Sequence, residues 1–318
     1  MMIRRTLIPL DGSELAEQVI HHLLRFITPD QTELLLMTAL SSTSRSLDEV
    51  EDTPGLPASK QTVVSKEDKA RKQLYDITQK LNQIGFSVMD RLLSGMPAES
   101  ILRLAEETFV DLIAMSTHGR TGLGRALLGS VADEVVCSAR PPVFLAPAAI
   151  AVKSSSVPRT ILLPLDGTPL AEAAIPIARQ FAQNTGATIS LIRVVRPNHP
   201  GYEQPDEQVS AGEQSVAHQA ISYLERIQLQ LQLANVFSRY QVASGDPIEA
   251  IIRTMHMEDS DLVVMSTHGR SGVERIIHGS VTRQIIGNTT CPLLLVRGVV
   301  PVEVYESSDD KVSAASFC

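Results

Sequence analysis

Two segments of the chain carry the same spacing of small, hydroxyl-bearing and basic residues. In the first, Met115-Ser116-Thr117-His118-Gly119-Arg120 precedes Gly129-Ser130-Val131, with nine residues between Gly119 and Gly129. In the second, Met265-Ser266-Thr267-His268-Gly269-Arg270 precedes Gly279-Ser280-Val281 at the same interval. A glycine at a turn lets backbone N–H groups approach an anion closely. Gly-Ser opening an apolar helical run directs N–H groups and a hydroxyl at an anion as well. Two such turns ten residues apart suit a chain of phosphates. Each motif alone is explained as well by a turn or a helix cap; the repetition of the whole spacing favours a ligand. Arg120 and Arg270 adjoin the first turn, as phosphate contacts or as solvated charges. No second His or Cys accompanies His118 or His268, so they read as loop donors and no metal site is expected.

The elements that must hold these turns follow from hydrophobic patterning. The apolar run 3–10 ends at Asp11-Gly12 and predicts a buried strand, with Ser13 capping a helix after it. Further strands are predicted over 33–40, 87–93, 111–116 and 143–146, and helices over 65–84, 97–108 and 128–139. Alternating strands and helices predict a parallel sheet with helices on both faces. In such sheets ligands sit beyond the carboxyl ends of the strands where strand order reverses. Asp11 and Asp166, ending the first strand of each copy, either form the turn before glycine or face that ligand.

The chain repeats itself throughout. Residues 4–17 and 159–172 share nine of 14 positions, and 111–131 and 261–281 share 13 of 21. We expect two tandem α/β domains, 1–150 and 151–300, each a five-stranded Rossmann-like parallel sheet. A polar linker within 148–158 separates them, and 301–318 is expected to be a flexible tail. The apolar fifth strand of each copy is the last of its sheet, so the halves are expected to pair there as an intramolecular pseudo-dimer, with a further homodimer as an extension. Residues 41–64 and 197–209 read as mobile loops.

Composition excludes several classes. The chain has 318 residues and a net charge of −8. Basic against acidic residues number 15 to 19 in 1–150 and 13 to 17 in 151–318, so neither half offers a broadly basic surface for nucleic acid or anionic membrane. Three cysteines, Cys137, Cys291 and Cys318, form no metal-type spacing. With no signal-like or membrane-spanning stretch in the sequence, a cytoplasmic protein is expected.

The paired motifs resemble those of the universal stress protein family. Its ATP-binding branch carries Gly-x-x-Gly-x(9)-Gly-(Ser/Thr) after the fourth strand, and Pro9-Leu10-Asp11-Gly12-Ser13 and Pro164-Leu165-Asp166-Gly167-Thr168 match its first turn. The resemblance implies an adenine-nucleotide α-hydrolase-like fold and ATP, with ADP or AMP as alternatives, carrying Mg²⁺ on the nucleotide. It places Asp11 and Asp166 near the adenine or ribose and Ala39 and Val194 in the adenine pocket. Gly119, Gly129, Ser130, Gly269, Gly279 and Ser280 would hold phosphates. Pro9, Leu10, Met115, Val131, Pro164, Leu165, Met265 and Val281 adjoin these positions and complete the expected nucleotide site. Ser116 and Ser266 replace the first motif glycine in both copies, and Arg193 stands where the first copy has Thr38.

Three functions compete: an ATP-binding stress or signalling switch read by a protein partner, a slow ATPase, and a scaffold with vestigial pockets. No Gly-x(4)-Gly-Lys-(Ser/Thr) loop or kinase motif set is present, and only His118 and His268 could serve as bases, so no catalytic residue is assigned.

Overall fold

The computed structural model describes residues 2–40, 66–117, 128–147, 157–195, 209–268, 280–289 and 291–298. The linker, the tail and most of both expected loops lie outside these residues. The first copy contributes strands β1 (Arg5–Pro9), β2 (Glu33–Leu40), β3 (Val88–Ser94), β4 (Leu112–Ser116) and β5 (Val143–Ala146). Its helices are α1 (Glu14–Leu23), α2 (Lys66–Gln83), α3 (Pro97–Glu107) and α4 (Ser130–Ser138). The second copy follows with β6 (Thr160–Pro164), α5 (Pro169–Glu172), α6 (Ile175–Thr185), β7 (Thr188–Val195), α7 (Val209–Leu233), β8 (Ser238–Ser244), α8 (Pro247–Met257), β9 (Leu262–His268), α9 (Ser280–Asn288) and β10 (Leu293–Gly298).

The central strands are apolar along their length because both sheet faces are covered. Successive side chains alternate between two cores. Leu34 and Leu36 enter a core completed by α1, α2, α6 and α7, whereas Leu35 and Met37 enter one completed by α3, α4, α8 and α9. Helix starts follow local capping chemistry. Ser13 Oγ accepts from Ala16 N at 3.1 Å, Thr168 Oγ1 from Ala171 N at 3.2 Å, and Asp246 Oδ1 from Ile248 N at 2.9 Å. The helix predicted from residue 128 begins at Ser130, because Gly129 is an extended N-cap with φ −62° and ψ 150°.

The five-stranded parallel units are present, and they merge. One ten-stranded sheet runs β3-β2-β1-β4-β5-β10-β9-β6-β7-β8. Every pairing within a copy is parallel. At the seam β5 and β10 pair antiparallel, with Leu145, Phe144 and Val143 opposite Leu293, Leu294 and Leu295. The expected contact between halves therefore forms through the fifth strands.

Side chains reinforce the seam. Phe26 lies between Phe144 and Phe181, with ring centroids 6.1 and 5.6 Å away. Arg25 Nη2 meets Asp261 Oδ1 at 2.6 Å with both side chains nearly buried, while Asp261 Oδ2 accepts the amides of Arg159 and Thr160. Burial pushes the Asp261 carboxyl up, but the Arg159 amide, the Arg25 guanidinium and the Thr160 amide outweigh it, and the net result lies below the usual carboxylate range. At the pseudo-equivalent position Gln180 Oε1 accepts from Ile3 N at 3.1 Å, an uncharged contact.

Candidate functional site

Chain order reverses between β1 and β4, where β2 and β3 lie to one side and β4 and β5 to the other. A cleft of about 290 Å³ opens there, at the carboxyl ends of these strands. Pro9, Leu10 and Asp11 form one wall, with Ala16 of α1. Met37 and Ala39 of β2 and Met115, Ser116 and Thr117 form the floor, while Gly129, Ser130, Val131 and Ala132 supply the N-terminal turn of α4. Of the expected site in the first copy, every described residue thus meets in one cleft. His118, Gly119 and Arg120 lie outside the described residues.

The first turn is held by its own side chains. Asp11 Oδ1 accepts from the Ser13 amide at 3.0 Å and from its hydroxyl at 2.6 Å. Asp11 therefore forms the turn and also faces the cleft. Leu10 N donates to Met37 O at 2.7 Å, which fixes the turn to the floor. Opposite it, Thr117 N donates to Ala146 O, and Gly129 N donates to Thr117 O at 2.8 Å. The Gly129 amide thus closes the strand-to-helix connection, and its place is to cap α4 without a side chain over the helix end. The first amides of α4, from Ser130 to Ala132, have no partner within the helix, and these residues line the cleft. They present partial positive charge to it.

Sequence reasoning missed Ala16, Met37, Pro97, Ile101, Thr117 and Ala132 in this lining. Some signals were available. Met37 shares a strand face with Ala39, and Pro97 and Ile101 recur in the second copy as Pro247 and Ile251.

In the second copy the first turn is the same. Asp166 Oδ1 accepts from Thr168 N at 2.8 Å and Thr168 Oγ1 at 2.7 Å, and Leu165 N donates to Ile192 O at 2.9 Å. Pro164 and Val194 hold places matching Pro9 and Ala39, and Met265 and Ser266 lie on β9. That strand continues through Thr267 to His268, which pairs with Gly298. Gly269, Arg270 and Gly279 lie outside the described residues, and only the backbone of His268, Ser280 and Val281 is described.

The fold and the cleft define a doubly wound α/β protein in tandem, with a cleft at the point of strand-order reversal in the first copy. The chain belongs to the universal stress protein family, whose profile matches residues 2–147 and 158–297. A universal stress protein of Methanocaldococcus jannaschii is 30% identical over 154 residues, 46% of this chain and 95% of that protein. One from Mycobacterium tuberculosis is 25% identical over 215 residues, 66% of this chain and 69% of that protein. The crystal structure of a universal stress protein from Archaeoglobus fulgidus superposes with a TM-score of 0.66 at 20% identity, covering 92% of this chain and 96% of that one. It shares the fold of both halves.

Among the described residues, no helix is long and apolar enough to cross a membrane, and no cluster of three or more His, Cys, Asp or Glu could hold a metal ion. Neither Cys137 nor Cys291 forms a disulfide among the described residues.

Proposed function

We propose that the first-copy cleft binds an adenine nucleotide, ATP with ADP or AMP as alternatives, and that the protein acts as a nucleotide-dependent binding switch in the cytoplasm with little turnover. The observation that carries this reading is the pairing, in one cleft, of an apolar floor with the N-terminal turn of α4. The floor of Met37, Ala39 and Met115 suits a flat base, and the Asp11 turn suits ribose hydroxyls. Ser130, Val131 and Ala132 suit phosphate oxygens. Gly119 and Arg120, and Gly269, Arg270, Gly279 and Ser280 of the second copy, belong to this reading through their motif positions, as do the domain boundaries 1–150 and 151–300. Mg²⁺ would arrive on the nucleotide.

Two outcomes test it. Calorimetry of the full chain with millimolar ATP is expected to give saturable heat. Ala39→Phe, which fills the floor, should weaken binding by about 100-fold while the far-ultraviolet circular dichroism stays unchanged, since an inserted ring displaces the base. Undiminished affinity in that variant would put the ligand elsewhere. Turnover is the second test. Phosphoryl transfer needs a positioned nucleophile, and Asp11 is committed to its own turn at the nucleoside end of the cleft. In single-turnover assays bound ATP is expected to persist for hours. Hydrolysis within seconds, abolished by His118→Ala/His268→Ala, would make the protein an ATPase. A protein partner reading the segments 41–64 and 197–209 completes the switch.

A further inference from the structure

The two copies open the helix after their third strand with different chemistry. In the second copy Asp246 caps α8, and its Oδ1 accepts from Ile248 N at 2.9 Å and from Glu249 N at 3.2 Å. In the first copy Met96 holds the matching place before Pro97 and gives α3 no side-chain cap. A side-chain oxygen is what a helix start asks for, and a thioether does not supply it. Met96 is also 67% exposed. The residue therefore serves neither the start of its helix nor the core.

Its surroundings give it another use. Pro97 follows it directly and Ile101 lies one turn further along α3, and both line the first-copy cleft. Before it, Gly95 N donates to Leu40 O at 3.0 Å, beside Ala39 of the cleft floor. Met96 is thus anchored at the mouth of the cleft, between the α3 wall and the carboxyl end of β2. The sheet order β3-β2-β1-β4 makes this the β2 end of the cleft. The N-terminal turn of α4 stands at the opposite, β4 end, where Gly129 N is bonded to Thr117 O.

We propose that Met96 covers the far edge of a purine base and gives the first-copy cleft a preference for purine over pyrimidine nucleotides. This rests on the nucleotide reading given above, which sets phosphates at α4, ribose at the Asp11 turn and the base on the floor of Met37 and Ala39. A nucleotide laid out in that order points the outer edge of its base at Met96. The second ring of a purine carries the base out to that edge, and the single ring of a pyrimidine stops short of it. An unbranched thioether adapts to a ring edge, and sulfur beside an aromatic edge is a favourable contact. The second copy has no thioether at this place, since Asp246 stands there and is bonded to its own helix.

Calorimetry of the full chain with ATP, CTP and inorganic tripolyphosphate tests this. ATP is expected to bind about fivefold tighter than CTP. Met96→Asn supplies a capping side chain and removes the thioether. It should raise the unfolding midpoint of the ligand-free protein, weaken ATP by about fivefold to the level of CTP, and leave CTP and tripolyphosphate unchanged. Met96→Ala, which supplies no cap, should lose the same factor for ATP, and Met96→Leu should keep most of it. Unchanged ATP affinity in both the Asn and Ala variants, an equal loss for CTP, or a lower unfolding midpoint in Met96→Asn would each overturn the assignment while ATP binding itself stands. Failure of the wild type to bind either nucleotide would overturn the nucleotide reading and this inference together.

Discussion

Replacing Asp261 with Ala should destabilise the protein by about 3–5 kcal/mol, because the nearly buried Arg25 would lose its carboxylate partner in the seam. The same change orphans the amides of Arg159 and Thr160, which open β6. Denaturant unfolding of Asp261→Ala, Arg25→Ala and the double variant measures this, and the double variant should recover part of the loss. A cost below about 1 kcal/mol for Asp261→Ala would mean that the pair is not formed in solution. The acid side gives an independent readout. The folded Asp261 carboxyl lies below its unfolded value. Its contribution is therefore fully present above about pH 4, the ordinary unfolded carboxylate value, and is lost as pH falls through the lower folded value. Asp261→Ala should flatten that part of the stability profile and leave neutral pH without a slope of its own. Asp111, which clamps the amides of Arg4 and Arg5 in the first copy, is the matched comparison.

Phe181→Ala should cost a similar amount, about 3–5 kcal/mol, for a different reason. The ring is fully buried and stacks on Phe26 of the other half, which in turn packs on Phe144 of β5. Truncation leaves a cavity that the ten-stranded sheet cannot collapse into, since strand spacing is fixed by the ladder. The expected result is a single cooperative transition shifted to lower denaturant. Two separate transitions in wild type would show that the halves do not share this core. Tyr75→Ala, at a side chain 62% exposed, should change stability by no more than about 0.5 kcal/mol.

The parts of this structure readable in the sequence are those written locally and written twice. The turn Asp11-Gly12-Ser13 announces itself by chemistry that acts within three residues, and it is found as expected with Ser13 as cap. The parallel units follow from apolar runs alternating with helical periods, and the seam from an apolar terminal strand that would otherwise be an open edge. Register is different. Nothing local states that Phe144 faces Leu294, because any apolar pair would satisfy the pattern. Pro97 and Ile101 reach the cleft only through the placement of α3 across the sheet. The Arg25–Asp261 pair joins residues 236 apart, and no pattern connects them. Arg193 was visible as a difference between the copies, but its support comes from α7, thirty positions on in Tyr223. The strand predicted over 3–10 is shorter at both ends, as the Ile3 amide turns to Gln180 and Leu10 already bends into the turn.

The antiparallel join of β5 with β10 turns the carboxyl ends of the two parallel units toward opposite rims of one sheet. Ligands bound at the two rims would therefore not compete for space. In a symmetric pair of separate chains, any residue altered at one rim is altered at the other, because both are read from the same gene segment. A single chain is released from that rule. It can keep the shared seam intact while each rim acquires its own vocabulary, as Met96 and Asp246 have done. The two rims of such a protein are chemically distinguishable, where those of a symmetric pair are not.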